Sequence, residues 1–118
     1  DKNLIFYDTE SEIIAEMAIE KSLAANVDCI LCMDDNICIK IIRILKIKGL
    51  RIPDDIKIAS LHNSELLDEF DPSISCIYQN ESELGKEAGR ILYTYLKEGK
   101  ALSSSILGYE LQIKDSTN

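Results

Sequence analysis

The sequence is short of positive charge and of histidine, and it has no long apolar run. Lys and Arg number 13 against 21 Asp and Glu, a net charge of −8 over 118 residues, and the pI is near 4.6. Gripping nucleic-acid phosphates requires a basic face, so this segment is not expected to bind DNA or RNA itself. No apolar stretch approaches the roughly 20 residues of a membrane-spanning helix, so no membrane partner is expected. His62 is the one histidine. Zinc takes about four ligands at suitable spacing, and Cys29, Cys32 and Cys38 have no second close pair. Neither a metal nor a cofactor is therefore expected. Internal repeats, low-complexity tracts and a visible secretory signal are also missing. Four cysteines in that setting read as reduced thiols, and a cytoplasmic location is expected. A length of 118 residues suits one domain with a buried core.

What is present alternates. "LIFYD" (4–8) has the length and apolarity of a strand. Thr9 and Glu12 then stand at capping-box spacing, which predicts a helix whose apolar stripe holds Ile13, Met17, Leu23 and Ala24. "VDCILCM" predicts a second strand, and "DNICIKIIRILKIKG" a helix ending near Gly49. "LRIPDD" reads as a turn whose geometry Pro53 sets. "IKIASL" (56–61) and "ISCIY" (74–78) predict strands, separated by a loop with one helical turn. Asn80 and Glu83 open a further helix to about Lys97. The polar linker "KEGKALSSS" and a last strand in "ILGYELQIK" complete the chain. This order predicts an α/β fold with a parallel sheet flanked by helices. Ligands of such sheets collect beyond the carboxyl ends of the strands. There the sequence sets Asp8, Asp34 with Asp35, His62 with Asn63, and Gln79 with Asn80.

The segment "VDCILCMDDN" invites several readings. Cys29 and Cys32, three apart in a strand, point to opposite faces and are expected to pack rather than share a metal or disulfide. Asp34 and Asp35 fit three roles: capping the next helix, hydrogen-bonding a polar ligand, or holding Mg²⁺ in a receiver-like or phosphatase site. His62 has no nucleophile or orienting group tied to it, so no catalysis is assigned. Gly85 and Gly89 lie within a helix, where small residues permit close packing. In the second helix Asn36, Lys40, Arg43 and Lys46 form one narrow polar stripe, and most other positions are apolar. That pattern fits a helix buried between layers or one facing a partner subunit.

Several longer pieces resemble the effector-binding domain of the LacI/GalR family of bacterial transcription regulators. "CMDDNICIKIIRILKIKGLRIPDDI" follows the family's strand, Asn-Asp, helix and Gly-Leu-x-[IV]-Pro-x-Asp-[IV] turn. "SLHN" stands where Gly-[FY]-Asp-Asp is usual. "DPSISCIYQN" matches the segment that carries the hinge glutamine, and "YELQIKDST" matches the family's ending. The resemblance spans essentially all 118 residues. It implies part of a type I periplasmic-binding-protein-like fold, in which two α/β subdomains enclose a small effector, a sugar or related metabolite. Residues 1–118 would be the C-terminal portion of that effector-binding and dimerisation domain. The segment of about 79–104 would cross to a second subdomain, and a separate domain would bind operator DNA.

By the same resemblance Asp34, His62, Gln79 and Asp8 would touch effector, and Ile39 and Phe70 would lie in a homodimer contact. Asp34 replaces an amide and His62 a carboxylate, so the expected effector widens from a plain sugar to a sugar phosphate or other anion. A solute-binding protein of a sugar transporter shares the fold and is the alternative. A Mg²⁺-dependent receiver-like or phosphatase domain on Asp34 and Asp35 is the further one. The leading expectation is a sensing module, not an enzyme.

Overall fold

In a computed structural model the fold is described for residues 2–9, 11–100 and 104–118. Three parallel strands form the core of a four-stranded sheet: β1 (Cys29–Cys32), β2 (Lys57–Ser60) and β3 (Ser75–Tyr78). β4 (Glu110–Gln112) adds antiparallel to β3, so the sheet is mixed, in the order β1-β2-β3-β4. The last strand was expected to join a parallel sheet. It reverses direction and keeps only three residues of "ILGYELQIK" in regular pairing. The linker "KEGKALSSS" includes residues 101–103, which lie outside the described residues.

Helix α1 (Glu12–Ala24) begins later than the Thr9 capping box predicts. Asp8 sits at φ 58°, and its carbonyl accepts from Ser11 N–H at 3.1 Å. That turn carries the chain past Thr9, and Ser11 becomes the N-cap. The buried face also differs from the predicted stripe. Ala15, Ala18, Ile19 and Ser22 are buried, whereas Ile13 is 71% and Met17 51% exposed. The spacing 15, 18, 19, 22 is equally helical; small residues were preferred where the helix meets the layer below. Ser22 satisfies its buried hydroxyl by donating to Ala18 O at 2.8 Å.

Helix α2 (Asp35–Ile47) packs against α1, β1, β2 and the short helix α3 (Glu65–Asp68). Its buried residues are Cys38, Ile41, Ile42, Ile44 and Leu45, which answers the unusual width of its apolar surface with burial between layers. Ile56, Ile58, Leu67 and Ile74 complete the core below it. Each fully buried aliphatic side chain of this size contributes about 1.5–3 kcal/mol.

The chain ends in a polar clasp under the sheet. Ser116 Oγ donates to Ile58 O at 2.6 Å and accepts from Ser75 N–H at 2.9 Å. Ser75 Oγ meets Thr117 Oγ1 at 2.6 Å. Ser116 is fully buried, and these bonds offset the cost of burying its hydroxyl.

Helix α4 (Glu81–Glu98) differs from the others. It has no buried residue and packs against no other element among the described residues. The radius of gyration is 18.0 Å, against about 13–14 Å for a compact domain of this length, because α4 projects from the body. Gly85 and Gly89, expected to permit close packing, have open space around them.

Candidate functional site

The parallel register sets the predicted site residues side by side. Cys32 pairs with Ser60, and Ser60 with Cys76. Asp34 and His62 lie two residues beyond the ends of β1 and β2, Tyr78 ends β3, and Gln79 follows it. Neighbouring strands are separated by about 4.8 Å, so the three strand ends open side by side.

Local chemistry fixes each member. Asp34 is the N-cap of α2; its Oδ1 accepts from Ile37 N–H at 2.9 Å. The capping role expected for the pair thus falls on Asp34. Asp35 opens the first turn and accepts from Asn36 N–H at 2.9 Å, where a carboxylate also favours the helix dipole. His62 is exposed; its backbone N–H donates to Ser60 Oγ at 3.1 Å, which leaves the imidazole free to meet a ligand. Gln79 is exposed too, and its backbone N–H donates to Asn63 Oδ1 at 3.1 Å. Asn63 thereby ties the loop after β2 to the end of β3.

Residues 5–8 form no strand, so Asp8 is the hinge of a turn and not a strand end. The neighbouring Thr9 carbonyl accepts from Lys40 Nζ at 3.5 Å, which draws the turn toward α2. Among the described residues no cluster of three or more His, Cys, Asp or Glu side chains is placed to hold a metal ion.

Two hollows are formed by the described residues, and one of them reaches Gln79. A small one of about 180 Å³ is lined by Gln79, Asn80, Glu83, Leu84 and the stretch Leu107 to Tyr109. The sequence pattern did not single out 107–109 as site residues, since nothing local marks a segment brought in from 28 residues further along the chain. The larger hollow, about 410 Å³, is apolar. It lies not at the carboxyl ends but along β1, between residues 4–9, α1 and α2.

The cysteines divide. Cys32, Cys38 and Cys76 are buried and Cys29 is exposed, so the core packing expected of Cys29 and Cys32 holds for Cys32 and fails for Cys29, which sits on the open side of β1. A hydrogen bond with Cys38 and then burial push the Cys32 thiol far up, out of the range of a nucleophile. Partial burial raises Cys29 as well, against the opposing charge of Lys57. Lys114 lies 3.5 Å from Cys76 Sγ and pairs with Asp68. Burial pulls its ammonium down, but those partners raise it overall. Ile39 and Phe70 are half-buried, each packed on this chain's own core with some surface left over.

Residues 4–117 match the periplasmic binding protein-like domain family. The chain is 28% identical over 101 residues to the HTH-type transcriptional repressor PurR of Vibrio atlanticus (strain LGP32), covering 83% of this chain and 30% of that protein. Among solved structures, the transcription regulator CcpA of Lactococcus lactis matches 92% of this chain and 40% of its own, with a TM-score of 0.79 and 24% identity. A LacI family transcriptional regulator from Enterococcus faecium with bound ribose matches 97% of this chain and 42% of its own, with a TM-score of 0.82 and 19% identity. The chain thus spans less than half the length of each of these proteins. No helix among the described residues is long and apolar enough to cross a membrane. The chain belongs to the periplasmic binding protein-like domain family, in the form carried by LacI/GalR-type transcription regulators.

Proposed function

We propose that residues 1–118 are the C-terminal share of a regulator's sensing module, which binds a small effector, a sugar or sugar derivative, and forms a homodimer. The reading rests on one observation: Asp34, His62 and Gln79 follow within two residues the carboxyl ends of three adjacent parallel strands, where sheets of this type gather ligand groups. The bare face of α4 supports it. Leu84, Leu92 and Tyr95 are each more than half exposed, as expected of a segment, about 79–104, that crosses to a second subdomain. A cleft between the two subdomains would enclose the effector, and operator DNA would be bound by a domain separate from these residues.

The test is thermal unfolding of the intact protein against pentoses, hexoses and their phosphates. A ligand that binds the folded state raises Tm by linkage. Asp34→Asn, His62→Ala and Gln79→Ala should each shrink the shift produced by the stabilising sugar while moving the ligand-free Tm by less than about 4 °C. Asparagine caps a helix as well as aspartate does, so the first variant removes charge and spares α2. An undiminished shift in all three would sink the site. The 118 residues alone supply one wall of the cleft, and most ligand sites enclose their ligand; titration of ribose into this chain should show no micromolar binding. For the dimer, Ile39→Asp and Phe70→Asp should give folded monomers by sedimentation and circular dichroism. A variant that unfolds would assign both residues to the core instead.

A further inference from the structure

Cys76 lies beneath a surface ion pair. It is 1% exposed and stands in β3 opposite Gln112 of β4. Lys114, two residues past Gln112, reaches back over it. The lysine Nζ donates to Cys76 Sγ at 3.5 Å and pairs with Asp68 of α3. The thiol itself donates to Gln112 Oε1 at 3.8 Å. A sulfur lone pair therefore faces the lysine nitrogen, at the separation of two atoms held for reaction. The side chains of Lys114 and Asp68 are 19% and 59% exposed, so water reaches the pair, and the swing of one flexible lysine stem uncovers the sulfur. Another buried thiol, Cys32, has Cys38 as its hydrogen-bond partner; Cys76 has an amine.

We infer that Cys76 and Lys114 form a covalent modification site, where a small hydroperoxide such as hydrogen peroxide joins sulfur to nitrogen as a sulfenamide. A sulfur lone pair attacks one peroxide oxygen, and the O–O bond breaks. The departing hydroxide takes the thiol proton, which gives water and a sulfenic acid on Cys76. Sulfenic acids condense with thiols or with nitrogen. Lys114 passes one ammonium proton to the paired carboxylate of Asp68, which releases it to solvent. The neutral amine attacks sulfur, the S–O bond breaks, and the departing hydroxide takes a second proton from nitrogen. Thiol, ammonium and peroxide are consumed; an S–N bond, two waters and one proton result. Sulfur loses two electrons and the peroxide gains them. The bond fastens β3, which leads into Gln79, to the chain after β4, 38 residues away. It stands independently of the effector reading above, since neither atom belongs to that site.

The experiment treats the intact protein with hydrogen peroxide, digests it with trypsin without reductant and maps the peptides by mass. Residues 58–86 form one tryptic peptide with Cys76 as its one cysteine. It should appear joined to the peptide that begins at residue 101 and runs uncut through Lys114, lighter by two hydrogens than the two together. A thiol reductant should separate them. The joined product should exceed that from urea-unfolded protein about tenfold or more, since only the fold holds the two atoms together. Lys114→Arg keeps the charge beside Asp68, but a guanidinium stays protonated. It should give no joined peptide, and dimedone should trap the sulfenic acid on Cys76 instead. Cys76→Ser should give neither product. A Cys76 that remains a thiol after treatment of the folded protein overturns the proposal. Equal yield from unfolded protein makes the bond a product of the reagent and overturns it as well. A disulfide from Cys76 to another cysteine, or equal dimedone trapping in the parent and in Lys114→Arg, removes the lysine from the step and has the same consequence.

Discussion

α2 and α4 are built alike and placed unlike. Each opens on a side-chain cap: Asp34 accepts from Ile37 N–H at 2.9 Å, and Asn80 from Glu83 N–H at 3.0 Å. Each closes on a left-handed glycine, Gly49 at φ 76° and Gly99 at φ 66°. Each carries an amphipathic pattern. Yet α2 buries five residues and α4 none. Most helical stability in proteins comes from tertiary packing of an amphipathic face; α4 has none buried and is left with surface pairs, Arg90 with Glu87 at 2.7 Å and Lys97 over the Tyr93 ring at 5.6 Å. Caps and periodicity decide that a helix forms. They do not decide whether it is covered.

The contrast breaks most visibly under core truncation. Leu45→Ala in α2 removes a fully buried side chain and should cost about 2–5 kcal/mol, read as a fall in the urea midpoint. Leu92→Ala in α4, 58% exposed, should stay within about 0.5 kcal/mol. Comparable losses at both sites would mean that α4 has a partner surface in solution. The caps sharpen the same point more gently. Asp34→Ala should lower global stability by about 1 kcal/mol, whereas Asn80→Ala should reduce helical ellipticity and leave the urea midpoint of the body in place.

The smallest effect is electrostatic. Hydrogen bonds from Arg90 and then Ser105 hold the Glu87 carboxyl down to about 2, from an ordinary 4.5. A lowered carboxyl adds stability that is complete above its ordinary value and disappears as pH falls through the folded value. Ellipticity of α4 should therefore decline between pH 4.5 and about 2, and Glu87→Gln should flatten that slope. The exposed pair is open to screening, so 1 M salt should flatten it as well. A slope indifferent to both changes would remove Glu87 from the account.

Much of this was legible in the residues. Asp34 and Asn80 stand before apolar-periodic runs, and both cap. Gly49 and Gly99 follow such runs, and both take the left-handed conformation. Cys29 and Cys32 point to opposite sides as a strand requires, one exposed and one buried. The row at the carboxyl ends was legible for the same reason: strand ends are local, and the alternation of strand and helix orders them. Where the reading failed, the deciding contact was distant. Ile13 and Met17 looked like the core stripe of α1 because they are large and apolar. The chain instead turned Ala15, Ala18 and Ile19 inward, since close packing over the layer below outweighs hydrophobicity alone.

The sequence by itself determined where helices start and stop, which apolar runs have strand character, and which polar residues follow them. Those properties depend on backbone hydrogen bonds and dihedral preferences within a few residues. Only the tertiary structure decided that β4 runs antiparallel, that α2 is covered while α4 is bare, and that residues 4–8 border a hollow without joining the sheet. A strand exists by pairing, and a helix is buried by what packs on it. Both depend on chain far away in sequence, and for this molecule part of that surrounding surface is supplied by no element among its described residues.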